Sequence, residues 1–194
     1  MSISFSRFLN AVGLLAVSLV LVVAFFDQIV YGDMPCPLCI LERVGFLGAA
    51  FGLALNLKFG IRPSHYAVMM LSAFFGAVIS ARHTLLHIVP GTGTYGDAIM
   101  GLHFYTWAFV VYALIILGGA VLMLFDSQFS HQHAAGAAHT LADRGFATSW
   151  QAKLSLIIIA VAAFLALANG VSTVLECSTG LCPDNPVSYM LLSK

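Results

Sequence analysis

Two cysteine pairs are the residues in this chain best suited to chemistry: Cys36 and Cys39 in the run Cys36-Pro37-Leu38-Cys39, and Cys177 and Cys182, separated by Ser178-Thr179-Gly180-Leu181. The first spacing brings two Cα atoms within disulfide range, and Pro37 removes a backbone donor between the sulfurs. Arg43 follows Cys39 by one helical turn. A thiolate at a helix N-terminus beside a fixed positive charge forms readily and is reactive, so the predicted chemistry is thiol–disulfide exchange. Two plainer readings stand beside it. The first pair can staple its own loop, although so short a loop removes little entropy from the unfolded chain. Four sulfurs on one side of a membrane can also hold zinc, although an oxidising compartment disfavours four thiolates, and no metal is expected. The second pair, with Gly180 permitting a turn and Pro183-Asp184-Asn185-Pro186 beyond it, reads equally as a redox pair or as a structural disulfide.

Helices in lipid must position these residues. The chain has 194 residues, 60% of them hydrophobic and 8% charged, with zero formal net charge and a mean hydropathy of +0.97; soluble domains carry about 25% charged residues. Eight Lys/Arg and eight Asp/Glu are too few to coat a water-exposed surface, and without a basic run no nucleic-acid partner is expected. Charge-free stretches at 8–26, 63–81, 98–125 and 154–175 each supply the roughly 20 residues needed to cross a bilayer. The stretch 44–57 is long enough if its helix starts near Ile40 and carries Glu42 and Arg43 at the interface. The first stretch reads as a retained helix, because Ala24-Phe25-Phe26 is a poor signal-peptide cleavage site. The expectation is an all-α membrane protein: a four-helix transmembrane bundle over 1–125, a connector over 126–153, and a fifth transmembrane helix with a cysteine-bearing tail over 154–194.

With the N-terminus cytoplasmic, Arg7, Lys58, Arg62, Arg144 and Lys153 lie inside, against Arg43, Arg82 and Lys194 outside, the direction favoured by the positive-inside rule. Both cysteine pairs then face the same, oxidising side. Among other residues, His83 and His87 are one turn apart. His87 and His103 read as interfacial histidines making ordinary hydrogen bonds, and His131, His133 and His139 lack the neighbours a metal site needs. Tyr31, Tyr105 and Trp107 read as aromatic-belt anchors, and Gly45, Gly48 and Gly52 as a close-packing face of the second helix.

The run Met34-Pro35-Cys36-Pro37-Leu38-Cys39-Ile40-Leu41-Glu42-Arg43 resembles the first outer loop of the disulfide-bond-formation protein B (DsbB) family of bacterial inner-membrane thiol oxidases. Arg82-His83-Thr84-Leu85-Leu86-His87 and Gly101-Leu102-His103-Phe104-Tyr105-Thr106-Trp107 support the likeness, which covers about residues 10–125. The resemblance implies a quinone cofactor, ubiquinone or menaquinone, and a periplasmic DsbA-like partner of thioredoxin fold. It implies that Cys36 and Cys39 form the quinone-coupled disulfide with Cys39 nearest the quinone, that Arg43 stabilises the thiolate and the reduced quinone oxygen, and that His83 lies near the quinone. Arg43 and Arg82, the cations outside the orientation bias, would then mark the quinone site. The chain departs from the family pattern in having no cysteine between the third and fourth helices. Cys177 and Cys182 are expected to take the place of that pair. A vitamin K epoxide reductase-like enzyme and a non-enzymatic scaffold with structural disulfides are the alternatives.

Overall fold

The computed structural model describes residues 2–89, 91, 98–129, 150–178, 180–183 and 186–192. His131, His133, His139, Arg144 and Lys194 lie outside the described residues, as does most of the connector after the fourth helix. Among the described residues five helices follow one another: α1 (Ile3–Phe26), which runs into a π-helical turn (Asp27–Tyr31), then α2 (Pro37–Phe59), α3 (Pro63–Leu86), α4 (Phe104–Met123) and α5 (Trp150–Cys177). All five are long and apolar enough to cross a membrane. The protein is an all-α, multi-pass membrane protein.

Local sequence explains most of the boundaries. Ser2 caps α1 by accepting from the Phe5 amide (3.3 Å), and Gly32, at φ 75°, ends the π-helical turn in the left-handed region that favours glycine. Pro37 and Pro63 each open a helix at a position whose N–H is not needed. The short link between α2 and α3 makes them antiparallel neighbours. α4 is the exception to the charge-free reading: it starts at Phe104, six residues into the stretch that begins at Ala98. Ahead of it, Met100 (φ 53°) and Gly101 (φ 81°) form a tight turn closed by the two hydrogen bonds between Ile99 and Leu102. Lack of charge marks what lipid tolerates; it does not mark where a helix begins.

α2 is the central helix. It packs along α3 and α1, α3 packs along α4, and α5 lies against α1 and α2. The glycine face expected on α2 is the close contact. A Cβ on Gly45 would lie 2.8 Å from the Gly76 Cα, one on Gly48 would meet the Ser72 side chain at 2.5 Å, and one on Gly52 would meet the His65 carbonyl at 2.7 Å. Phe46 and Tyr112 stack in this core at 4.1 Å, and the Tyr112 hydroxyl donates to the Glu42 carbonyl. At the end of the bundle away from the cysteines, a buried polar chain joins three helices. Asn56 donates to Asn10 (2.9 Å), and Asn10 donates to Tyr66 (2.7 Å). Large apolar side chains such as Leu15, Phe74, Leu117 and Phe164 point outward and are well exposed, as lipid-facing residues are.

Candidate functional site

Both cysteine pairs are disulfides, with Cα atoms 5.0 Å apart for Cys36–Cys39 and 4.3 Å apart for Cys177–Cys182. Cys36, rather than Cys39, is the residue that caps α2: its sulfur accepts from the Cys39 amide at 3.1 Å. Pro37 at the first helical position draws the helix start toward Cys36, which places Cys39 inside the first turn, where the expectation had set it just before the helix. Cys36 is buried and Cys39 half-buried. The more exposed residue of the first pair is therefore the one nearer Arg43 in sequence.

Arg43, His83 and Glu42 converge on this disulfide from α2 and α3. His83 is almost fully buried; its Nε2 lies 3.8 Å from the Cys36 sulfur and its Nδ1 3.0 Å from Glu42 Oε1. This is a carboxylate–histidine–cysteine line in which Glu42 orients the ring. The His83 ring also packs on Tyr105, with centroids 4.3 Å apart, and on His87 at 5.0 Å, while His103 stacks on Tyr105 at 5.4 Å. Tyr105 is 4% exposed, so it is a core residue of the site and not a belt anchor. The reason is the turn ahead of α4, which sets Tyr105 in the helix's first turn facing His83. Tyr31, by contrast, is exposed at its helix end.

The Arg43 guanidinium is buried. It donates through Nη1 to Gln28 Oε1 (2.6 Å) and through Nη2 to the Ala24 carbonyl (3.0 Å), and it lies over the Phe25 ring at 4.9 Å. Gln28 in turn donates from Nε2 to Ser172 of α5 (2.7 Å) and to Tyr189 of the tail (2.9 Å). Glu176, the residue before Cys177, is fully buried within electrostatic reach of Arg43, and neither of its carboxyl oxygens has a hydrogen-bond partner among the described residues. The structure thus sets the end of α5 beside the helix that carries the first cysteine pair. Arg82 is exposed and does not line the site. On α3, one residue's rotation separates it from buried His83.

A cavity of about 720 Å³ opens at this end. Cys39, Glu42, Arg43 and His83 supply its polar wall together with Asp27 and Asp33, and the rest is largely apolar, with Val23, Phe46, Phe104 and Val111 among the lining residues. Cys36, Cys39 and His83 hold their sulfur and nitrogen atoms within 4.8 Å of one another, and the two sulfurs are bonded to each other.

Residues 6–95 match the family model for the disulfide bond formation protein DsbB. Over those residues the chain is similar to the DsbB family. Similar proteins include the disulfide bond formation protein B of Chromohalobacter salexigens, 37% identical over 40% of this chain and 48% of that protein. That of Pseudomonas syringae pv. tomato is 38% identical over 43% of this chain and 51% of its own length. That of Marinobacter nauticus is 28% identical over 60% of this chain and 88% of that protein. The chain spans about half the length of the first two relatives. No solved structure matches it. The matched segment contains Gln28, Cys36, Cys39, Glu42, Arg43 and His83. Tyr105, α5 and the Cys177–Cys182 pair lie beyond it.

Sequence reasoning missed Glu42, Gln28 and Glu176 as members of the site. Glu42 and Gln28 flank the cysteine motif, and their polarity inside charge-poor stretches was the available signal. Their partners, His83 and Ser172, become neighbours only when the helices pack.

Proposed function

We propose that this protein is a thiol:quinone oxidoreductase of the bacterial inner membrane. It reoxidises a periplasmic, DsbA-like dithiol protein and passes the electrons to ubiquinone or menaquinone, supporting disulfide bond formation. One observation carries the reading: the sulfur of Cys39 shares the wall of a large, mostly apolar cavity with Arg43, Glu42 and His83. The donor set fits a quinone, with apolar walls for its ring and tail and with Arg43 and His83 to hold its oxygens. A quinone bound there supplies an acceptor for two electrons and two protons.

The chain's own residues do the rest. A partner thiolate attacks Cys182, the more exposed residue of the tail pair, and the electron pair of the broken bond passes to Cys177. The second partner thiolate then attacks the mixed disulfide, the partner leaves oxidised, and the tail pair is left as a dithiol. Exchange of this dithiol with Cys36–Cys39 restores the tail disulfide and leaves Cys39 as the thiolate facing the cavity. Arg43 stabilises that charge. His83, with Nε2 toward Cys36 and Nδ1 held by Glu42, is placed to take and return a proton near neutral pH. The cytoplasmic N-terminus, from the Lys/Arg asymmetry, puts both pairs on the periplasmic side.

Turnover of a reduced thioredoxin-fold partner with decylubiquinone or a soluble menaquinone, in nanodiscs, tests this reading. Cys39→Ser is expected to abolish quinone reduction. Cys177→Ser is expected to abolish partner oxidation while quinone still quenches the fluorescence of Trp107, a cavity residue. Unchanged turnover in Cys177→Ser would make the tail pair a structural staple.

A further inference from the structure

We infer that Gln28 is a positioning residue for Arg43, and that the C-terminal tail acts on the cavity through the hydrogen bond between Tyr189 and Gln28. The inference rests on the functional reading above and extends it to a residue and a segment that carry no redox chemistry.

The hydrogen-bonding capacities of the groups fix the orientation of the Gln28 amide. Arginine has donors only, so the Gln28 atom facing Arg43 at 2.6 Å must be the carbonyl oxygen. The amide nitrogen then points the other way, and its two hydrogens meet Ser172 Oγ at 2.7 Å and Tyr189 Oη at 2.9 Å. Gln28 is 4% exposed, so water does not compete for these bonds. Each of its partners comes from a different part of the chain: Arg43 from α2, Ser172 from α5 and Tyr189 from the segment beyond Cys182. Removing any one leaves a buried donor or acceptor unpaired and frees the amide to rotate.

The backbone around Gln28 points the same way. The residue sits in the π-helical turn Asp27–Tyr31 that ends α1, a local widening that polar clusters at functional sites commonly use. The Ala24 carbonyl that receives the second Arg43 hydrogen bond lies one turn earlier on the same helix. The end of α1 therefore holds both arms of the guanidinium. The tail is docked independently of Gln28: the Leu191 amide donates to the Leu175 carbonyl at 3.0 Å, and Pro186 and Val187 form part of the cavity wall. The segment that follows the second cysteine pair thus reaches the cation beside the first pair through a single amide.

Two readouts test the proposal, one with quinone and one without. In the first, decylubiquinone quenching of Trp107 is measured in a Trp150→Phe background together with KM and kcat. Tyr189→Phe is expected to raise the quinone dissociation constant and KM about threefold to tenfold with kcat within about twofold, and Gln28→Ala to raise them further. The Gln28→Ala/Tyr189→Phe double variant is expected to match Gln28→Ala alone, because Tyr189 works through Gln28. In the second readout, Cys36→Ala leaves Cys39 as a free thiol with the tail disulfide intact, and iodoacetamide labelling of Cys39 at neutral pH is followed by mass spectrometry. Tyr189→Phe is expected to slow labelling about twofold to fivefold, with the same non-additivity. Additive effects, or labelling in Tyr189→Phe at the rate of its Cys36→Ala parent, would overturn the proposal. If quinone fails to quench Trp107 in the parent protein, the quinone reading falls and the labelling result decides this one.

Discussion

A histidine in contact with a sulfur is useful only if its ring is held, and Glu42 holds it. The 3.0 Å contact between Glu42 and His83 Nδ1 fixes which ring nitrogen faces Cys36. Glu42→Ala is expected to lower kcat about tenfold to a hundredfold while helix content measured by circular dichroism is unchanged; a wild-type rate would remove the pair from the reaction. At this scale the sequence was informative where chemistry is local. The Cys-x-x-C spacing, the arginine one turn on and the family likeness of His83 were all legible. Glu42 was noticed only as a charge at an interface, since its partner is 41 residues away and meets it through helix packing. Tyr105 was misread because an aromatic residue near a helix end looks the same in sequence whether it faces headgroups or a buried imidazole.

The helices hold these residues by close approach of their backbones. α2 and α3 meet at Gly45 and Gly76, and the Tyr112 ring of α4 fills the space beside them, so that a Cβ on Gly76 would overlap the ring. Tyr112 also bonds the Glu42 carbonyl, which ties this packing to the turn of α2 that carries Glu42 and Arg43. Gly76→Ala is expected to destabilise the protein by about 1–3 kcal/mol, seen as a lower Tm in nanodiscs, because a rigid ring cannot move aside cheaply. An unchanged Tm would show that α3 and α4 are less tightly packed than described. Hydropathy located all five helices, and the glycine spacing on α2 identified its packing face. Neither signal could place the start of α4, which a left-handed turn at Met100 and Gly101 sets inside an apolar run.

At the scale of the whole molecule, α5 is what separates this chain from a four-helix bundle. By lying against α1 and α2 it brings Ser172 and Glu176, the neighbours of Cys177, to the same end of the bundle as Cys36 and Cys39. The sequence put both pairs on one side of the membrane by counting helices and charges. It could not show that α5 contacts α1 and α2, because the apolar residues it buries there, Ile158, Ala162 and Leu165, look like the lipid-facing residues around them, and the Gln28–Ser172 hydrogen bond joins residues 144 apart. In the proposed function, electrons leave through Cys36–Cys39 to a quinone. This step is tested most directly by trapping the redox state of that pair in membranes given a reduced thioredoxin-fold partner, with and without oxidisable quinone. Cys36 and Cys39 are expected to accumulate as thiols when quinone is withheld and to return to the disulfide when it is restored. A pair that stays oxidised under both conditions would contradict that step.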